Sequence, residues 1–389
     1  MFEIEEVRGL KAKIRVIGVG GAGGNAINTM IASNLQGVEF IAINTDLQAL
    51  ETSLAPVKVQ IGAELTRGLG AGSNPQIGRE AALEDRAAII ESLEGSDMVF
   101  ITAGMGGGTG TGAGPVIANI SKELGIITVA VVTKPFFYEG RVRCWNAEEG
   151  IKEIKKYVDT FIVIPNDKIA LVVEKGTPLL KSFALANDVL KLAVQGISDI
   201  ILIPGLINVD FADVRTVIAD KGRGVMGCGF GRGESGALEA AKKAISNPLL
   251  EDSSIEGAKN ILLNITGGLQ LSLDDVQDAA SYVYDSAHEE VNLIFGAVID
   301  PDLDDEVKIT VIATGFQAEK EKVELPQIKK WTPVREPVNF KGSDRILAKT
   351  LGPDYGLKVK TTDLISYEDP IDVPTFLRKA SLKEIHKEI

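Results

Sequence analysis

The chain has 389 residues, 45% hydrophobic and 24% charged, with a formal net charge of −13, a composition that fits a globular protein long enough for two domains. The acidic balance argues against nucleic acid as a partner, because phosphate backbones repel an acidic surface. Two cysteines (Cys144, Cys228) are too few for a disulfide framework and fit a reducing compartment, and two histidines (His288, His386) exclude histidine-based zinc sites and Ser-His-Asp chemistry.

In chain order, the acidic start Met1-Phe2-Glu3-Ile4-Glu5-Glu6 lacks the apolar core of a signal peptide, and no later apolar run is long enough to span a bilayer. Residues 14–18 read as a strand that enters Gly18-Val19-Gly20-Gly21-Ala22-Gly23-Gly24-Asn25, followed by a helix over 26–32. Gly18, Gly20 and Gly23 fit GxGxxG, which on its own also suits a nicotinamide-dependent dehydrogenase. The second strand, 38–43, ends in Asn44-Thr45-Asp46. Asp46 could serve a ribose in a dinucleotide or a mononucleotide fold and does not discriminate between them. After a third strand at 57–61, Thr66-Arg67-Gly68-Leu69-Gly70-Ala71-Gly72-Ser73-Asn74 opens a helix over 75–93 with proline in its first turn. The amides of this loop could reach a terminal phosphate.

The fourth strand, 98–102, leads through Gly104 to Gly106-Gly107-Gly108-Thr109-Gly110-Thr111-Gly112 and a helix over 113–124. Five glycines in seven residues exceed what a strand-to-helix turn needs. They let backbone amides crowd around a phosphate, the helix end adds partial positive charge, and the two threonines add hydroxyl donors. Two such loops on neighbouring strands suit a nucleoside triphosphate better than a dinucleotide, and no GxxxxGK[ST] occurs. Strands at 128–132 and 161–164 complete a doubly wound α/β domain whose ligand belongs at the carboxyl ends of the strands. Pro135, Glu139 and Arg143 follow the fifth strand. Arg143 could counter phosphate charge and Glu139 could hold a ribose hydroxyl, although each alone reads equally as a surface ion pair. Asn166 ends the sixth strand.

A helix over 179–203 is apolar around most of its circumference, which places it in a core shared by two domains. Asp188 on that helix needs a partner. It either accepts the paired N–H donors of guanine, with Phe183 stacked on the base, or is satisfied by backbone. Asn208, Asp210 and Asp213 cluster at the next helix start, where Asp210 could be only an N-cap. If the start of the long helix touches the base, these residues lie at the opposite pole, in reach of the nucleotide of a second molecule stacked head to tail, a contact that propagates as an open filament. Strands at 224–229, 260–266, 292–299 and 307–314, with helices at 234–246 and 273–288, form a smaller α/β domain ending near 316. Residues 317–367 read as a flexible linker. Residues 368–389 regain spaced apolar residues and read as a partner-binding peptide or a docked helix. The domain plan is therefore an extension at 1–12, a nucleotide domain at 13–178, the central helix at 179–203 and the second domain at 204–316, followed by linker and peptide.

These motifs resemble the bacterial tubulin-like cell-division GTPases of the FtsZ family: GGGTGTG at 106–112, Gly18 to Asn25, Asn44-Thr45-Asp46, Arg67-Gly68-Leu69-Gly70-Ala71-Gly72, Pro165-Asn166-Asp167, Asn208-Val209-Asp210-Phe211-Ala212-Asp213, and the tail Asp372-Val373-Pro374-Thr375-Phe376-Leu377-Arg378. The resemblance implies a tubulin-like fold, GTP and GDP as ligands, Mg2+ on the phosphates with K+ as a further candidate, and GTP-dependent head-to-tail polymerisation into a division ring at mid-cell, on the inner face of the membrane. It assigns nucleotide contacts to Gly20, Gly21, Gly23, Gly24, Asn25, Asn44, Asp46, Ala71, Gly72, Gly104, Gly106, Gly107, Gly108, Thr109 and Gly110. Pro135 is a further nucleotide contact, Glu139 and Arg143 fall on the ribose, and Asn166, Phe183 and Asp188 on the base. Asn208, Asp210 and Asp213 complete a neighbour's GTPase site. The tail, 369–380, would bind membrane tethers such as the actin-like protein FtsA. Tyr138, Cys144 and Trp145 depart from the family pattern without removing a functional group. A dehydrogenase and a nucleotide-binding scaffold that does not hydrolyse stand as the competing readings.

Overall fold

The computed structural model describes residues 12–172, 176–203, 205–207, 209–219, 222–246, 255–287 and 290–316. Asn208, both histidines, the linker and the terminal peptide lie outside the described residues.

The first layer set alternates strand and helix: β1 (Ile14–Val19), α1 (Gly20–Ala32), β2 (Val38–Asn44), α2 (Leu47–Glu51), β3 (Val57–Gln60), α3 (Ala63–Thr66), α4 (Pro75–Glu84), α5 (Arg86–Leu93), β4 (Met98–Gly104), α6 (Thr109–Glu123), β5 (Ile127–Lys134), α7 (Arg141–Ile154), β6 (Thr160–Pro165) and α8 (Asn166–Val172). The strands pair in parallel in the order β3-β2-β1-β4-β5-β6, with a short seventh strand at the edge, β7 (Gly222–Arg223). Alternate residues of each strand face opposite sides. Val16, Phe40, Phe100, Val129 and Ile162 face one core with Ile27 and Met30 of α1. Ile17, Ile41, Ile101, Ala130 and Val163 face a second core with Ala81, Ile117 and Ile151 of the helices on the other side. Burial on both faces is why these strands are continuous apolar runs.

The long helix α9 (Leu179–Leu202) has 24 residues and therefore spans ~36 Å. Leu190, Ala193, Val194, Ile197 and Ile200 pack into the first core, together with Val214 and Val217 of α10 (Phe211–Ala219) and with Leu262 and Ile312 from the second sheet. The shared core expected around this helix is present. The helix also has an exposed side, where Phe183 is 41% accessible, so it is not apolar and buried all round. The second sheet runs β10-β9-β11-β8, from β8 (Val225–Arg232), β9 (Asn260–Gly267), β10 (Asn292–Ile299) and β11 (Glu306–Thr314). Its other face is covered by α11 (Gly236–Ile245) and α12 (Leu273–Asp285) over Ile261, Leu263, Ile309 and Val311.

Two boundaries differ from the sequence reading in a way that bears on the site. α1 begins at Gly20 and α6 at Thr109, directly on the glycine motifs, not several residues later. The expected helix over 75–93 breaks at Asp85, whose carboxylate accepts from the Gly62 N–H at 2.6 Å.

Candidate functional site

All the parallel strands of the first sheet point their carboxyl ends to one edge, so the turns after β1, β4, β5 and β6 gather there. α1, on Val19, and α6, on Gly108, start at this edge without side-chain caps and without an acidic residue in the first turn. Their leading amides and positive helix ends are left for a ligand. The two starts touch. Gly20 takes φ +71, which favours glycine, and a Cβ there would lie 3.0 Å from the Gly110 nitrogen. On the other side Gly108 approaches Ala71 and Asn74, so the 66–74 loop closes the cradle. A Cβ on Gly21, Gly24, Gly107 or Gly72 would meet nothing within 4 Å, so the cradle is open at these positions, as a phosphate requires. Gly23 differs. It faces the Thr102 carbonyl of β4, where a Cβ would approach to 2.4 Å, so it sets helix-to-strand packing instead of lining the opening.

The polar groups of the cradle are partly committed to one another. The Thr111 hydroxyl accepts from the Gly106 N–H at 2.8 Å, so this threonine shapes the loop, while the Thr109 hydroxyl meets that of Thr45 at 2.7 Å. Asn44 accepts from the amides of Thr45 and Asp46 at 2.9 and 3.3 Å and holds the turn after β2. Asp46 accepts from the Ala49 N–H at 3.2 Å, caps α2 and bridges to Leu69. Its neighbours are those of the 66–72 loop, and it does not line the cleft described next. Asn25 is exposed, one turn into α1.

Beside the cradle lies a cleft lined by Ala22, Gly104, Met105, Thr133, Pro135, Glu139, Arg143, Asn166, Phe183, Ala186, Asn187 and Leu190. Glu139 accepts from the Phe136 N–H at 2.8 Å and pairs with the Arg143 Nε at 3.1 Å, so both are held at the rim. The Arg143 carbonyl also approaches Gly106, which takes φ +100. Phe136 meets Phe183 edge-on at 5.7 Å between ring centroids. Asn166 is buried, and its Oδ1 has no hydrogen-bond partner among the described residues, an orphaned acceptor on the wall of the cleft. Such a group is costly unless a ligand or water supplies a donor. Asp188 is not among the lining residues. Its side chain is 44% exposed and pairs with Lys191 at 3.7 Å, so the premise that it is buried on α9 does not hold. Phe183, Ala186, Asn187 and Leu190 instead form the i, i+3, i+4, i+7 stripe that faces the cleft. Counted from Phe183 in the sequence, the same helical spacing points to Asn187.

At the far end of α9, residues 205–207 pair with Ala297 of β10 and lead into α10. The Asp210 Oδ1 accepts from the Asp213 N–H at 2.8 Å, so Asp210 is an N-cap, and both carboxylates stand exposed. Among the described residues no cluster of His, Cys, Asp or Glu is arranged to hold a metal ion, and no helix is long and apolar enough to cross a membrane.

A parallel sheet whose two uncapped helix starts meet in one glycine cradle, with an aromatic-walled cleft beside it, defines a nucleotide-binding protein. Residues 13–174 match the Tubulin/FtsZ family GTPase domain and residues 222–317 match the FtsZ family C-terminal domain. The chain is similar to the structure of an empty FtsZ dimer from M. jannaschii, at 45% identity and a TM-score of 0.75, over 79% of this chain and 89% of that one. A tryptophan-to-tyrosine mutant of FtsZ from M. jannaschii gives 44% identity and a TM-score of 0.74, over 79% and 92%. CetZ1 from Haloferax volcanii, as a GDP-bound monomer, shares the fold at 22% identity and a TM-score of 0.68, over 79% and 95%. The chain belongs to the FtsZ family, and its first domain is a GTPase domain that binds GTP and GDP. This displaces the dehydrogenase reading of GxGxxG. The strand order alone could not have done so, because dinucleotide folds share it.

Proposed function

We propose that this chain assembles head to tail in the presence of GTP, hydrolyses GTP at the junction between subunits, and builds the ring that divides the cell. The observation that carries the reading is the length of α9. Phe183 and Asn187 line the base-side cleft near its start, and Asp210 and Asp213 follow its end, which lies ~29 Å along the helix from Phe183. Within one subunit the phosphate cradle and the exposed carboxylates of Asp210 and Asp213 therefore belong to opposite ends of α9. A second copy stacked along the same axis supplies what each lacks, and the repeat is open-ended. The empty FtsZ dimer of M. jannaschii and the CetZ2 protofilament of Haloferax volcanii are assemblies of similar chains, in keeping with this reading.

In this account the amides of Gly20, Gly21, Gly107, Gly108 and Gly110 bind the phosphates, Glu139 and Arg143 hold the ribose, and Phe183 stacks on the base. Asn166 gives its free acceptor to a base donor, and Asp188 reaches the N1–N2 edge from the rim. Mg2+ bound to the β- and γ-phosphates would neutralise developing charge, and the absence of a carboxylate cluster among the described residues fits an ion carried in by the phosphates. Asn208, Asp210 and Asp213 of the neighbour orient the attacking water, with K+ a candidate for the coordinated cation. The terminal peptide, 369–380, binds a membrane tether such as FtsA.

The test is phosphate release per subunit across protein concentration. It should rise steeply above an assembly threshold and be near zero below it, whereas a specific activity independent of concentration would defeat the shared site. Deletion of 368–389 should leave this curve in place and abolish tether binding. A large fall in melting temperature would show a docked helix instead.

A further inference from the structure

Thr45 follows the last residue of β2 and is fully buried. Its Oγ1 lies 2.7 Å from the Oγ1 of Thr109, the first residue of α6. Its carbonyl oxygen accepts from the Thr66 hydroxyl at 3.2 Å and from the Gly70 N–H at 3.3 Å. Thr45 thus joins the phosphate loop to the 66–72 loop.

Two hydroxyls carry two protons, and the bond between them uses one. Thr109 is the only hydrogen-bond partner of the Thr45 hydroxyl among the described residues. If Thr109 were the donor, the proton of Thr45 would be stranded in a site closed to water, which is costly. If Thr45 is the donor, both protons are used well: its own goes to Thr109, and that of Thr109 is free at the cradle. Burial therefore fixes the direction of the pair. The donated bond also polarises the Thr109 O–H and strengthens it as a donor.

We infer that Thr45 is a positioning residue for the terminal phosphate: by donating to Thr109 it aims that hydroxyl's proton into the cradle, where a triphosphate supplies the acceptor. This rests on the nucleotide reading above and adds a residue that acts through another, without touching the ligand itself. The terminal phosphate is the one affected on the reading that the 66–72 loop, which the Thr45 carbonyl holds, reaches that phosphate.

The experiment compares Thr45→Val, which keeps the shape and removes the hydroxyl, with Thr45→Ser, which keeps the hydroxyl. Full-length proteins are titrated with GTP and with GDP. Thr45→Val should weaken GTP about fivefold, the loss of one supporting neutral hydrogen bond, and leave GDP within about twofold. Thr45→Ser should restore GTP binding. Retained GDP binding shows that the valine variant is folded. Equal loss of both nucleotides, no loss of either, or a serine variant that behaves like valine overturns the inference. A wild type that prefers ATP and ADP over the guanine nucleotides would refute the guanine reading alone, and the triphosphate-to-diphosphate ratio measured with ATP and ADP would then test the hydroxyl pair.

Discussion

Asp210 can be an N-cap, a catalytic carboxylate, or both, and asparagine separates the roles. The cap is visible: Asp210 Oδ1 accepts from the Asp213 N–H at 2.8 Å. Asparagine caps a helix about as well as aspartate, whereas alanine loses about 1 kcal/mol. In a chain of this size that loss lowers the melting temperature by ~2–4 °C and leaves the protein folded. A carboxylate that positions or deprotonates the attacking water is worth ~10²–10⁴ in rate, about 3–6 kcal/mol at ~1.4 per tenfold. Asp210→Asn should therefore melt like the wild type and bind GTP like the wild type, since it follows the end of α9, ~29 Å along the helix from Phe183. Its phosphate release, measured well above the assembly threshold, should fall at least a hundredfold. Asp210→Ala should show the same rate loss with the lower melting temperature. Wild-type turnover in Asp210→Asn would show that the residue is a cap and nothing more.

Asn166→Ala removes an acceptor that has no partner among the described residues, so nucleotide affinity should fall about tenfold with little change in melting temperature; a variant that loses stability and keeps affinity would show that the acceptor serves the fold. Asp188→Ala should leave stability nearly unchanged, because the pair with Lys191 is long and half exposed, and should reduce GTP affinity while sparing ATP; titrations with both nucleotides decide it. Asp199 on α9 is pushed up to about 6 by burial, against the counter-pull of Lys308 and the hydrogen bond from Gln195. A carboxyl held above its unfolded value favours the folded state at low pH and loses that advantage as pH rises through about 6. Asp199→Asn should accordingly melt higher than the wild type above pH ~6.5 and match it below pH ~4, whereas a lower melting temperature at neutral pH would show that the charge is needed.

The strands were legible because both faces of the first sheet are buried, and Val16 to Ile17 or Phe100 to Ile101 leave no polar position to interrupt the run. The glycine motifs were legible as anion loops, but the helix starts were placed late. Glycine has poor helix propensity, and what holds α1 in a helix at Gly23 is its packing against Thr102, which no local signal announces. α7 was missed because its buried stripe is only Ala147, Gly150, Ile151 and Ile154 in an otherwise polar segment. The break at Asp85 comes from a hydrogen bond to Gly62, twenty-three residues back in the chain, so periodicity alone runs through it. At the site, residue types that stand out in a sequence were found, and Asn187 was not, since an asparagine gains meaning only from the face it shares with Phe183. Thr45 lies inside the Asn44-Thr45-Asp46 motif, but its burial and its partner across sixty-four positions are tertiary facts.

The central claim is that one active site is built from two subunits, and a mixing experiment tests it most directly. Asp213→Ala keeps an intact cradle and loses a carboxylate at the far pole, while Thr109→Ala keeps the far pole and impairs the cradle. Each alone should hydrolyse GTP poorly. Mixed at equal concentration above the assembly threshold, they should release phosphate faster than the sum of the separate proteins, because one of the mixed junctions joins two intact halves. Release equal to that sum at every mixing ratio would contradict a site shared between subunits.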